Sequence, residues 1–239
     1  MSTGSSLEDR INVKEGPLSE TAEGDSLCDA EPFTYDTLDG EGNQLRVLVL
    51  KASPNRSAPI HCTLETHNRD TIPKYEALSY VWGRPDDTAA NPIYLYGHAV
   101  TVGSNLYLAL EALRLPDSER TLWIDALCIN QADNAEKAVQ VTLMGTIYSK
   151  AKRVAVWLGP PSGDSHLAMT SLGGLRKIKD LQNLSPQANK AIGNLFSRTW
   201  FGRVWCVPLE YLNCCCVTSP KLQRQGLIHM LFSITSWNS

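Results

Sequence analysis

TLWIDALCINQADNAEKAVQVTLMGTIYSKAKRVAVWLG, residues 121–159, holds two apolar runs separated by one amphipathic segment. The first run, TLWIDALCI (121–129), is nearly continuous and contains a single carboxylate, which is the pattern of a strand covered on both faces. Asp133 then reads as a helix cap, with Glu136 three residues on. The helix that follows carries Ala135, Val139, Leu143 and Ile147 on one stripe, with Glu136, Gln140, Met144 and Tyr148 beside them, and is expected to end near Ser149. RVAVWLG (153–159) is a second buried strand, stopped by Pro160 and Pro161. Strand, helix and strand at this spacing form a βαβ unit with a right-handed crossover, so the chain is expected to be α/β with a parallel sheet.

Moving outward, YEALSYVWG (75–83) is apolar on both faces and reads as a central strand, and LRVLVL (45–50), bounded by Gly42 and Pro54, as another. Residues 92–102 form a hairpin in which IYLY and AVTV flank Gly97 and His98. Ser104 is expected to cap a helix that buries Leu106, Leu110 and Leu113 and stops by Pro116. Downstream, residues 164–181 and 186–196 read as helical. Gly173 and Gly174 break the first, while Ser185 and Pro186 open the second. No internal repeat is evident. Residues 1–31, rich in Ser, Glu, Asp and Gly, lack the apolar content that offsets the entropy of ordering, and are expected to be a flexible tail.

Composition narrows the function. Of 239 residues, 43% are hydrophobic and 20% charged, a globular balance, and the net charge of -3 gives no pull toward nucleic acid or anionic lipid. There is neither a spanning apolar segment nor a signal peptide, so the protein is expected to be cytoplasmic, without a membrane span. Seven cysteines include the run Cys214, Cys215 and Cys216, which fits neither a disulfide framework nor spaced zinc pairs. Cys128 sits in an apolar run and reads as a packed thiol. Five scattered histidines, no nucleophile elbow and no phosphate-binding glycine loop argue against a metalloenzyme or serine hydrolase. Neither a metal nor a cofactor is expected.

In a parallel sheet the ligand crevice lies beyond the carboxyl ends of the strands, here residues 83–85, 130–133 and 159–163. Asp125, a carboxylate within an apolar run, needs a partner such as Arg84, Arg203 or backbone N–H groups. It is either a buried post that fixes loops or a catalytic group. Glu136 is either the reciprocal half of a capping box with Asp133 or a carboxylate placed to accept a sugar hydroxyl or stabilise positive charge. Asn130 and Gln131 suit a polar ligand and a loop-closing network equally. RTWFGRVW (198–205) interleaves arginines with Trp200, Phe201 and Trp205, which could stack on a base or a partner, although aromatics at helical spacing are more often core.

At these residues a family resemblance emerges. YEALSYVWG, the block running from LWIDALCINQ to AVWLGPP, and SRTWFGRVW resemble, in order and spacing, the three signature blocks of the fungal heterokaryon incompatibility (HET) domain. The resemblance covers residues 32–205. Its matching positions are Ser79, Trp82, Gly83, Asp125, Cys128, Asn130, Gln131, Glu136, Gln140, Met144, Tyr148, Trp157, Gly159, Trp200, Arg203 and Trp205. It implies a parallel-sheet, three-layer fold like that of Toll/interleukin receptor (TIR) and flavodoxin-type domains, with the hairpin as an insertion. It also implies a role in self/non-self recognition that ends in programmed cell death. Partners are expected to be other incompatibility proteins, NLR-type proteins or further copies of the chain. Likeness to TIR domains raises an alternative, hydrolysis of NAD, in which Glu136 and Asp125 are the candidate catalytic residues and Ser79, Gly83, Asn130, Gln131, Gln140 and Arg203 line the crevice. Fold does not fix chemistry.

The chain departs from the family after Trp205. A glutamine-glutamate pair is usual three and four residues on, where this sequence has Pro208 and Leu209, with the glutamate displaced to Glu210. Residues 206–239 are therefore expected to be a divergent, truncated tail that leaves one edge of the sheet uncovered and the chain with weak or no activity. The competing expectation is that LIHMLFSI (227–234) folds back to cover it.

Overall fold

A computed structural model of the protein describes residues 33–83, 91–175, 178–202 and 214–217, all within the unit Glu31–Ser239. The tail expected at 1–31, Arg84, Arg203, Trp205 and all of segment 206–239 except 214–217 lie outside the described residues. In chain order the strands are β1 (Gln44–Leu50), β2 (His61–Asn68), β3 (Glu76–Ser79), β4 (Asn91–Leu95), β5 (His98–Val102), β6 (Arg120–Trp123), β7 (Arg153–Trp157) and β8 (Cys214–Val217). The helices are α1 (Ser104–Leu113), α2 (Asp125–Cys128), α3 (Asn134–Lys150), α4 (Ser165–Gly174) and α5 (Pro186–Phe196).

The described strands make one sheet in the order β5-β4-β2-β1-β6-β3-β7-β8. Its β6-β3-β7-β8 half is parallel, as the βαβ spacing required, but the sheet as a whole is mixed, which corrects the expectation of a parallel sheet. β1 runs antiparallel to both β2 and β6, and β4 to β5. The reason is local: β1 and β2 are joined by a short link, and short links join antiparallel neighbours. β2, HCTLETHN, was not legible as a strand because only Cys62 and Leu64 alternate clearly into the core.

Three expected boundaries moved. The run at 121–129 is extended only to Ile124, after which Asp125–Cys128 makes one helical turn, with the Leu127 and Cys128 N–H groups donating to Ile124 O. Asp125 drives this break, because its own carboxylate accepts from the Ala126 N–H at 2.8 Å and competes with ladder pairing. The hairpin turns at Tyr96 and Gly97 (φ 51° and 89°), one residue earlier than read. Ser104 is the first residue of α1 rather than its cap; Gly103 occupies the cap position, and the Ser104 hydroxyl accepts from Asn91 Nδ2 at 3.0 Å.

Helix α1 buries the face its periodicity marked, whereas α3 is turned toward the row beside its expected stripe: Gln140, Ile147 and Tyr148 are buried, Val139 and Leu143 are half-buried and Ala135 is exposed. Leu106, Leu110 and Leu113 of α1 are buried, as is Ile147 of α3. Tyr148 at the end of α3 donates its hydroxyl to Leu78 O at 3.0 Å and packs edge-on to the fully buried Trp123 at 5.6 Å. Those two contacts fix α3 against β3 and β6. At the amino ends of the parallel strands, Glu76 accepts from Arg120 (2.6 and 3.1 Å) and Arg153 (2.7 and 3.0 Å), so the carboxylate ties β3 to both its neighbours. Burial tends to raise the Glu76 carboxyl, but hydrogen bonds and charge from Arg153 and Arg120 outweigh it and hold the group below its ordinary value.

Topology places the opening. β3 leads to β6 on one side of it, whereas its other neighbour β7 leads to β8 on the opposite side. The loops leaving β3 and β7 therefore diverge, and a crevice opens between them at the carboxyl ends.

Candidate functional site

The chain leaves β3 through Tyr80, Val81, Trp82 and Gly83, and leaves β7 through Leu158, Gly159 and Pro160. Gly83 (φ 94°) and Gly159 (φ 93°) turn both loops in the left-handed region, which is why glycine stands at each. Between them lies a cavity of about 320 Å³, bounded by Val81, Gly83, Leu158, Gly159 and Pro160 and closed by Asn105, Arg198, Thr199 and Trp200. Its size is within the range of small-molecule sites.

The walls are braced from within. Asn105 donates to Val81 O at 2.6 Å and accepts from Trp157 Nε1 at 2.7 Å, joining α1 to the loop after β3 and to the last residue of β7. Arg198 donates to Leu158 O (3.0 Å) and Pro160 O (3.1 Å) and to the Ser162 (3.0 Å) and Ser165 (2.8 Å) hydroxyls. Burial lowers the pKa of its guanidinium, which Asp164 partly opposes. Trp200 is buried and donates its indole N–H to Ser79 Oγ at 3.0 Å. Ser79 therefore lies under the crevice with its hydroxyl engaged, and Gly83 lines it.

The other candidates are placed differently. Asp125 is half-buried, not sunk in a strand, and accepts from the Trp82 indole N–H at 2.9 Å as well as from Ala126 N. Gln131 donates to Asp125 O at 2.9 Å, and Asn130 accepts through Oδ1 from Ala132 N at 3.2 Å, so both serve the loop after α2. None of Asp125, Asn130 and Gln131 lines the cavity. Gln140 is buried and donates to Gln44 O at 3.0 Å, tying α3 to β1. Arg203 lies outside the described residues.

Glu136 corrects the capping-box expectation in one half. Asp133 does cap α3, accepting from Ala135 N (2.9 Å) and Glu136 N (3.1 Å). The Glu136 carboxylate does not return the bond to Asp133; it accepts from Asn130 N at 2.8 Å and is gripped by Arg46 at 2.6 and 3.0 Å. Arg46 also donates to Cys128 O at 3.2 Å and to Asp36 O, with its guanidinium 4.9 Å from the Tyr35 ring centre. Arg46 was missed because LRVLVL reads as strand, and a single sequence does not show which buried charge a strand arginine meets. Cys128 is buried, accepts from Ile124 N at 3.4 Å, and has its thiol pushed up to about 12 by burial. It stays protonated near neutral pH.

Residues 75–208 match the family described as heterokaryon incompatibility protein (HET). The chain is also similar to heterokaryon incompatibility protein 6, OR allele, of Neurospora crassa, at 35% identity over 170 residues, covering 65% of this chain and 25% of that protein. The match thus spans about a quarter of that relative's length. No solved structure matches the chain.

Proposed function

Because the chain belongs to the heterokaryon incompatibility (HET) family, we propose that it serves in vegetative incompatibility and triggers cell death by assembling, in the cytoplasm, with other incompatibility proteins, NLR-type proteins or copies of itself. One observation carries the assembly reading: at the carboxyl edge Asp125, Glu136, Ser79, Asn130 and Gln131 are each engaged by internal hydrogen bonds, while the Trp82 indole stays 49% exposed. A tryptophan locked by its N–H to a carboxylate presents a rigid apolar face, and such residues dominate binding energy at protein interfaces. The Arg46 grip on Glu136 weighs against NAD cleavage, since a carboxylate held by a bidentate arginine is not free to meet a sugar. The parallel strands, numbered from β3, follow the order 2-1-3-4, which supports relating this half of the sheet to TIR and flavodoxin-type domains.

The test is expression in a fungal host at verified protein levels. The unaltered chain is expected to arrest growth without prior loss of cellular NAD, and Trp82→Ala to abolish arrest with its circular dichroism unchanged. Arrest that persists in Trp82→Ala would count against assembly through this edge. A fall in NAD that Glu136→Gln prevents would replace the proposal with hydrolysis.

A further inference from the structure

A second cavity, of about 370 Å³, lies away from the crevice and shares no lining residue with it. It sits where strand pairing stops. β1 bonds one side of β2 along its length, but β4 meets the other side only at His61 and Cys62 before the chain turns away at Tyr96 and Gly97. The register gives the direction of each main-chain group. Lys51 N donates to His61 O at 3.0 Å and Arg69 N to Asn43 O at 2.8 Å, so the odd-numbered residues of β2 turn their N–H and C=O groups toward β1. The even-numbered ones turn theirs the other way: Ile60 O and Cys62 O accept from Tyr94 N at 2.8 Å and Tyr96 N at 3.2 Å. Past the hairpin tip that side is bare. The N–H of Leu64 and both the N–H and the C=O of Thr66 have no partner among the described residues. Leu64 O is met by a side chain, the Tyr96 hydroxyl, which ends the row where β4 leaves it.

These groups recur at the two-residue period of a strand, so the ligand that matches them is an extended main chain. Antiparallel pairing with Thr66 satisfies both its bonds and sets the opposite residue on the face that Thr66 shares with Arg46 and Leu64, all three of which line the cavity. Charge then selects that side chain. Glu136 already neutralises Arg46, which leaves the exposed Asp36 carboxylate as the unbalanced charge among the lining residues at neutral pH. The walls are aromatic: Phe33 and Tyr35 lie edge-on at 5.0 Å, and Tyr96 stands 56% exposed at the hairpin tip. Rings beside a carboxylate suit a cation on a long aliphatic stem, because the stem packs on the rings and their faces attract the charge.

We infer that this bare stretch of β2 takes up an extended segment of a basic partner protein as an added strand, with a lysine or arginine opposite Thr66 in the cavity. The partner is a different chain rather than a second copy, since a net charge of -3 attracts a basic protein and repels its like. Assembly at the Trp82 edge is a separate matter, and neither site depends on the other.

The test is NMR titration of the full chain with the peptide acetyl-TVKVT-amide, with acetyl-TVEVT-amide, and with the lysine peptide N-methylated at its lysine, which loses the donor for Thr66 O. The lysine peptide is expected to bind saturably, about tenfold or more tighter than either control, and to slow hydrogen exchange of the Thr66 amide by a similar factor. Thr66→Pro removes an N–H that the sheet does not use, and should weaken binding about tenfold while the thermal midpoint stays within a few degrees. Asp36→Asn, at an exposed position, should bring the lysine and glutamate peptides to similar affinities. Absence of saturable binding by the lysine peptide, equal binding of the N-methylated one, undiminished binding in Thr66→Pro, or a lysine preference that survives Asp36→Asn would overturn the inference. So would a concentration-dependent dimer that protects the Thr66 amide without peptide, which would give this edge to a second copy.

Discussion

At Arg46 and Glu136 two opposite charges are withdrawn from water, with side chains only 3% and 8% exposed. Their geometry is bidentate, and backbone groups take part of the remaining capacity, which is what a buried pair needs to offset desolvation. Glu136→Ala is therefore expected to destabilise the fold by about 3–5 kcal/mol in urea unfolding, because Arg46 is left charged, buried and unpaired. Converting both residues to apolar ones of similar size should recover much of that loss. Glu76 predicts a pH dependence. Its folded pKa lies below its unfolded value, so its contribution is fully present above the unfolded pKa of about 4.3 and is lost as pH falls through the depressed folded value. The thermal midpoint should fall on acidification below about pH 4, and Glu76→Gln should flatten that part of the curve while lowering the midpoint at neutral pH.

The helix at Asn134–Lys150 was legible in outline from its stripe and its cap, because both signals are local. The cap is testable by itself: Asp133→Ala removes the acceptor of two N–H groups and should cost about 1 kcal/mol in denaturant unfolding. The far end of the Glu136 side chain was not legible, since its partner lies 90 residues away on β1. A capping-box spacing makes the reciprocal bond available, but a guanidinium within reach offers a stronger acceptor-donor pair and prevails. At the 121–129 run the opposite happened: apolar continuity suggested one long strand, and a single short-range carboxylate bond ended it at Trp123. Periodicity reports burial, which strand and helical turn share here, and so it did not separate them.

For the molecule as a whole, the β7 edge gains a parallel neighbour at residues 214–217, beyond the last family block. Deleting residues 206–239 removes that strand and bares the hydrogen-bonding edge of β7, so the shortened chain is expected to self-associate. Light scattering at matched concentrations would check it; a monomer as clean as the full chain would refute a covering role for this segment. What the sequence determined by itself was whatever depends on neighbours within a few turns: the α/β class, the βαβ unit, the capped helices, the hairpin and the blocks that mark the family. Tertiary structure alone decided that the sheet is mixed, that the crevice opens between β3 and β7 rather than among all three loops, and that Glu136 faces Arg46. These outcomes turn on which strands lie side by side and which buried charges meet. Both are set by contacts between residues far apart in the chain, where no local period or spacing carries the information.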